Sequence, residues 1–144
     1  LALNLVENRV DALRQRAFDA RGSVGFFAFF REEALSRAKM LADEKDPELT
    51  FWNALRTDAD LAFASTTFDS DQTDIFARFV ADEFNLDREH DYTADLVALL
   101  LLSAADLAYR KWTTSGRRSD PAKEISDALD KAEPAGRLML GLER

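Results

Sequence analysis

The 144-residue chain has no cysteine and a single histidine, His90. Disulfides, thiolate zinc sites and cysteine nucleophiles are therefore excluded, as is any metal centre built on several histidines. Glycine and proline are scarce, at five and three. Between Pro47 and Gly116 there is neither, so breaks in that stretch must come from polar clusters. Long apolar runs are missing too: Leu96–Leu102 stops at Ser103, well short of a membrane span. Positive charge is in deficit, 19 Lys and Arg against 27 Asp and Glu, giving a net charge of -8. That balance disfavours contact between these residues and a nucleic-acid backbone. The opening LALNLVENRVDAL turns polar and acidic from Asn4, unlike a signal peptide, and the expected location is the cytoplasm.

What is present points to helices. Hydrophobic residues make up 47% of the chain and charged ones 32%, a balance that suits one folded domain. The stretch Tyr92–Trp112 (YTADLVALLLLSAADLAYRKW) predicts the core helix. Asp91 is placed to cap its first turn, and Arg110 and Lys111 complement the dipole at its end. Because Leu96–Leu102 is apolar all round, one side is expected to face its own domain and the other a second copy of the chain.

Other helices follow from spacing. Leu5, Val6, Val10, Leu13 and Ala17 mark an amphipathic helix over 2–19. Ser23 is read as the cap of a second, 24–43, which opens on the apolar VGFFAFF. Asp46-Pro47 starts a short helix, 47–57, carrying Phe51, Trp52 and Leu55. Leu61, Ser65, Phe68, Gln72, Ile75 and Phe79 favour one long helix over 59–85, although STTFDSDQT is poor in helix formers and Ser70 could cap a fresh start. Asp120-Pro121 begins a last helix with Ala122, Ile125, Ala128, Leu129 and Ala132 on one face, and Pro134 with Gly136 reads as its end. The expected fold class is all-α, a single bundle-like domain of six to seven helices over 1–144.

Catalytic chemistry finds little support, and no enzyme activity is expected. Asp69–Asp74 resembles a calcium loop only briefly, since it lacks the glycine at the sixth place and has Val80 at the twelfth. There is no phosphate-binding glycine loop, and His90 lies in a polar loop without a second histidine; no metal or cofactor is expected. The unusual feature is the aromatic load of eleven Phe, two Trp and two Tyr. Rings of this size meeting between helices either pack as core or border an apolar pocket. Candidate ligand contacts are Phe27, Phe30, Trp52, Phe68 and Phe76, with Asn53, Ser65, Ser103 and Asp106 as polar anchors. Asp106 is equally open to pairing with an arginine across a subunit interface.

The order of elements, with FARFVADEFNLD, the apolar helix ending LAYRKW and the final DPAKEISDALDKA, resembles the C-terminal ligand-binding and dimerisation domain of TetR-family transcriptional regulators. The resemblance implies an effector pocket among the middle helices for a small apolar or aromatic ligand. It also implies a homodimer through the last two long helices, for which Leu99, Leu102, Leu107, Ile125 and Leu129 are the candidates. The family's N-terminal helix-turn-helix is not found here. Its place would be taken by VGFFAFF, too apolar for a recognition helix, so operator DNA is expected to be bound only through a head preceding Leu1. Two readings compete: a helical protein-interaction module with no ligand, and a cofactor-free enzyme using Asp106 or Asp58 as a base.

Overall fold

The computed structural model describes residues 2–42, 62–116 and 119–142. It contains five helices: α1 (Ala2–Ala20), α2 (Phe26–Ala42), α3 (Ala62–Phe84), α4 (Thr93–Thr114) and α5 (Pro121–Met139). The expected count of six to seven is thus five among the described residues, and the short helix expected over 47–57 lies outside them. There is no strand among these residues, and no described helix is long and apolar enough to cross a membrane.

The helices close a ring around one core. α4 packs on α3 and on α5, α1 lies on α3, and α2 is wedged between α3 and α5. Among the described side chains of α1 the buried ones are Val10, Leu13 and Ala17, a stripe at helical spacing. On α2 all four phenylalanines of the first turn and a half, Phe26, Phe27, Phe29 and Phe30, are buried. A helix start that is apolar all round needs two walls, and α2 has them: Phe26, Phe29 and Phe30 meet Phe76 or Phe79 of α3, and Phe27 meets α5.

The start of α2 differs from the expectation. The helix begins at Phe26, and the Ser23 hydroxyl donates backward to the Ala20 carbonyl. The cap comes from a distant helix: the Phe26 N–H donates to Glu83 Oε1 of α3 at 2.8 Å. A carboxylate from α3 thus fills the anion-favouring end of α2 and fixes the two helices against each other. Glu83→Ala should cost about 1 kcal/mol, the usual worth of an N-cap, read as a shift in the urea midpoint. A variant as stable as the parent would show that water serves that N–H equally well.

α3 runs unbroken from Ala62 to Phe84, as one helix, with Asp69–Asp74 inside it and not at a fresh start. The Thr73 hydroxyl donates to the Asp69 carbonyl at 2.9 Å, a local bond that lets a poor helix former stay in register. α3 ends at Asn85, whose φ of 55° is the left-handed stop that Asn tolerates.

α4 starts at Thr93, where Asp91 Oδ1 accepts from the Thr93 N–H at 2.8 Å. Hydrogen bonds from the Thr93 side chain and backbone hold the Asp91 carboxyl below its ordinary pKa. Its stabilising effect is complete above the ordinary carboxylate pKa and is lost as pH falls through the lowered value. Asp91→Ala should therefore lower the melting temperature at neutral pH, with the difference closing in acid. A gap that persisted at acid pH would assign the effect to packing.

α5 begins as expected, with Asp120 Oδ1 accepting from the Ala122 N–H at 3.0 Å and Pro121 at the first helical position. Its end does not: the helix continues through Pro134 and Gly136 to Met139. Pro134 is exposed, as is Asp130 one turn before it, so the missing N–H falls on the solvent side of the helix, where water can serve the carbonyl. Gly136 is buried against α2 and α4.

Candidate functional site

Two places on the surface can be built into sites: the outer face of α4, and a cleft at the α1–α2 corner.

On α4 the inner face is fixed by Ala94, Val97, Ala98, Leu101 and Ala108, all buried in the main core, and by Tyr109 and Trp112, which pack with Met40. The Trp112 Nε1–H donates to the Ser119 carbonyl at 2.6 Å and holds the connection to α5. The opposite face is open. Leu96, Leu99 and Leu107 are 49%, 46% and 47% exposed, and Ser103 is exposed between them. At the same end of the α4–α5 hairpin, Tyr92, Leu138 and Met139 are exposed as well. Half-exposed leucines at spacings of three and four form an apolar stripe that the rest of the described chain does not cover.

Charge frames that stripe. At its start Arg88 bonds Asp74 of α3 at 2.8 Å and Asp95 of α4 at 2.9 Å. Partial burial works against the Arg88 charge, but these two carboxylates outweigh it and its pKa is raised. At its end Asp106 pairs with Arg110 one turn on, at 3.0 Å, on the same helix. The carboxylate singled out as a ligand anchor is thus half-buried and engaged by an arginine of its own chain.

The cleft lies between the Arg21–Gly25 turn and Phe79, Asp82 and Glu83 of α3, with a volume of about 670 Å³. Its size suits a small molecule. Its polar wall is already committed: Asp82 pairs with Arg21 Nη1 at 2.9 Å, and Glu83 caps α2. Arg21 Nε is buried there without a hydrogen-bond partner. None of the residues expected to contact a ligand lines this cleft.

Those residues are dispersed. Phe27, Phe30 and Phe76 are buried in the core, where Phe30 and Phe76 meet edge-on with centroids 4.9 Å apart. Phe27 is covered by the Arg137 guanidinium at 4.6 Å. Ser103 is on the open face of α4. Ser65 and Phe68 lie on α3, and Trp52 and Asn53, like Asp58, fall outside the described residues. Of the residues expected at a subunit interface, Leu99 and Leu107 are on the open stripe and Leu102 is half-buried. Ile125 and Leu129 are instead 4% and 2% exposed, packed in the core of their own chain. Leu96 belongs to the apolar run singled out from the sequence, and Leu138 and Met139, in the apolar stretch after Pro134, are set beside the stripe by the continuation of α5 past that proline.

Metal-ligating groups come together once among the described residues: Asp87, Glu89 and His90 offer atoms within 4.8 Å of one another, all exposed. Asp87 is engaged by the Glu89 N–H and by His90 Nδ1, so the triad is a self-bonded loop.

No protein-family model, no curated protein and no solved structure matches the chain.

Proposed function

We propose that this chain is the dimerisation and effector-sensing domain of a TetR-like transcriptional regulator, binding DNA only through a separate head. The observation that carries the proposal is the α4 helix, buried on one face and leucine-lined on the other. Element order supports it too: an amphipathic helix, a buried aromatic helix, a long helix, the apolar helix and a final proline-started helix. A small apolar or aromatic effector entering among the aromatic helices would favour one arrangement of the bundle and so alter the spacing of two heads.

The test is sedimentation of the chain at tens of micromolar, where a dimer is expected. Leu99→Glu with Leu107→Glu should produce a folded monomer. Each unpaired carboxylate buried at an interface costs several kcal/mol, and about 1.4 kcal/mol is a tenfold change in affinity. A monomeric parent chain would overturn the proposal. For the sensing half, a thermal-shift series with apolar aromatic compounds should raise the melting temperature for at least one class.

A second reading, a helical interaction module without a ligand, is favoured by one specific observation. Phe26, Phe29, Phe30, Phe76 and Phe79 pack ring on ring, with Phe29 and Phe79 stacked at 4.9 Å, as a core would be filled. Dimerisation without any ligand-induced shift would favour it.

A further inference from the structure

We infer that Met40 is a redox-sensitive modification site: an oxidant of the peroxide class converts its thioether to the sulfoxide, and Arg9 of α1 takes the new oxygen. Nothing in this chemistry depends on an effector, a second copy or DNA.

With no cysteine in the chain, its oxidisable sulfurs are those of two methionines, Met40 and Met139. They are placed very differently. Met139 closes α5, 41% exposed, at the end of the bundle where Gly136 meets the start of α2. Met40 lies in the last turn of α2, at the opposite end, and is half-buried. It packs against the main core and also against Tyr109 and Trp112 of α4, whose rings lie 6.1 Å apart. Its sulfur accepts a hydrogen bond from Arg9 Nη2 of α1 at 3.3 Å. One thioether thus joins α1, α2 and α4, and its side chain is still partly open to solvent.

As a thioether the sulfur is soft and apolar, which suits its place on aromatic rings. As a hydrogen-bond acceptor it is weak, so the Arg9 N–H meets much less than a guanidinium can hold. Oxidation reverses both relations. The sulfoxide oxygen is a strong acceptor, and its bond from a guanidinium is charge-assisted. The same oxygen makes the group polar where it lies on Tyr109 and Trp112, at a cost in desolvation. The modified side chain is therefore driven away from the rings of α4 and toward the guanidinium of α1. At the exposed Met139 the same oxygen is served by water.

The reaction balances with the peroxide alone. A sulfur lone pair takes one oxygen of hydrogen peroxide, the O–O bond breaks, and both protons leave with the other oxygen as water. Sulfur is oxidised and the peroxide is reduced.

The test uses the whole chain carrying Met139→Leu, which leaves Met40 as the sole sulfur. Treated with dilute hydrogen peroxide while folded, it should gain one oxygen, mapped to Met40 by mass spectrometry. Its melting temperature should then fall by about 2–4 °C. Adding Arg9→Leu should enlarge that fall roughly twofold, because the sulfoxide then lies on the rings without its charged donor. Arg9→Lys should keep the fall near the parent value. Met40→Leu in the otherwise native chain, a volume-conserving change, should make the melting temperature insensitive to peroxide although Met139 is oxidised. Either of two results overturns the proposal: Met40 unreacted in the folded chain and oxidised only in urea, or a fall that Arg9→Leu leaves unchanged.

Discussion

Replacing Phe26 by alanine is expected to remove about 3–5 kcal/mol of folding stability, the usual cost of deleting a buried aromatic ring. Phe26 is fully buried and meets Phe27 at 5.3 Å, Phe30 at 6.0 Å, Phe79 at 6.0 Å and Phe76 at 6.3 Å. Its removal leaves a hole bounded by four other rings, each packed on further neighbours, so collapse is limited. Domains of this size have only about 5–15 kcal/mol in total, so the variant should be marginal at physiological temperature. Urea denaturation followed by circular dichroism measures the change. The same experiment on Phe30→Ala separates core from pocket. A ring that borders a ligand space can be shortened cheaply, whereas a core ring cannot. A loss near 1 kcal/mol at Phe30 would favour a pocket between α2 and α3, and a loss of about 3 kcal/mol or more would favour core.

The second large effect is expected at Gly136, where leucine should cost about 3 kcal/mol by overpacking. A Cβ there would lie 3.2 Å from Phe27 Cε1, 3.5 Å from Phe27 Cζ and 3.6 Å from Val97 Cγ1. Phe27 cannot swing away freely, since Phe26 sits on one side and the Arg137 guanidinium on the other. Alanine at the same position is expected to be near neutral. It gains about 1 kcal/mol of helix propensity and loses a similar amount in moving the Phe27 ring by a few tenths of an ångström. Urea midpoints for the two variants check the pair, and a stabilised leucine variant would show that α2 and α5 are not in contact there.

Gly136 also shows why the sequence misleads at this place. Pro134 and Gly136 together form the usual signal for the end of a helix. The signal assumes that proline breaks the helix by its missing donor and that glycine is chosen for its backbone freedom. Here the proline stands on the wet side, and the glycine is chosen for its lack of a side chain. Both facts depend on α2 and α4 being close, which no local window contains. Ser23 fails for the same reason, because the residue that caps α2 is Glu83, far along the chain. By contrast Asp120-Pro121 and the Val10, Leu13, Ala17 stripe were legible, since each is a local device.

The surface was legible in part. The all-round apolar character of Leu96–Leu102 announced a helix needing cover on two sides, and the exposure of Leu96 and Leu99 agrees with that requirement. Which residues of α5 join the stripe was not legible, because it depends on how the last helix is rotated. Ile125 and Leu129 have the composition of an interface and the position of a core. Burial of Phe27, Phe30 and Phe76 was legible from composition, but composition does not distinguish rings that fill a space from rings that border one.

The contact between Phe27 and Gly136 has a consequence for how the protein is made. The aromatic start of α2 is synthesised long before its second wall, since 109 residues separate the two positions. At ribosomal rates of roughly 5–20 residues per second, that interval is on the order of 5–20 s. During it the nascent chain presents four phenylalanines in five residues with α5 not yet available to cover them. Folding of the first half before the last helix emerges is therefore incomplete by design, and a stalled or truncated translation product ending before Pro121 is expected to expose that aromatic face and to engage chaperones or aggregate.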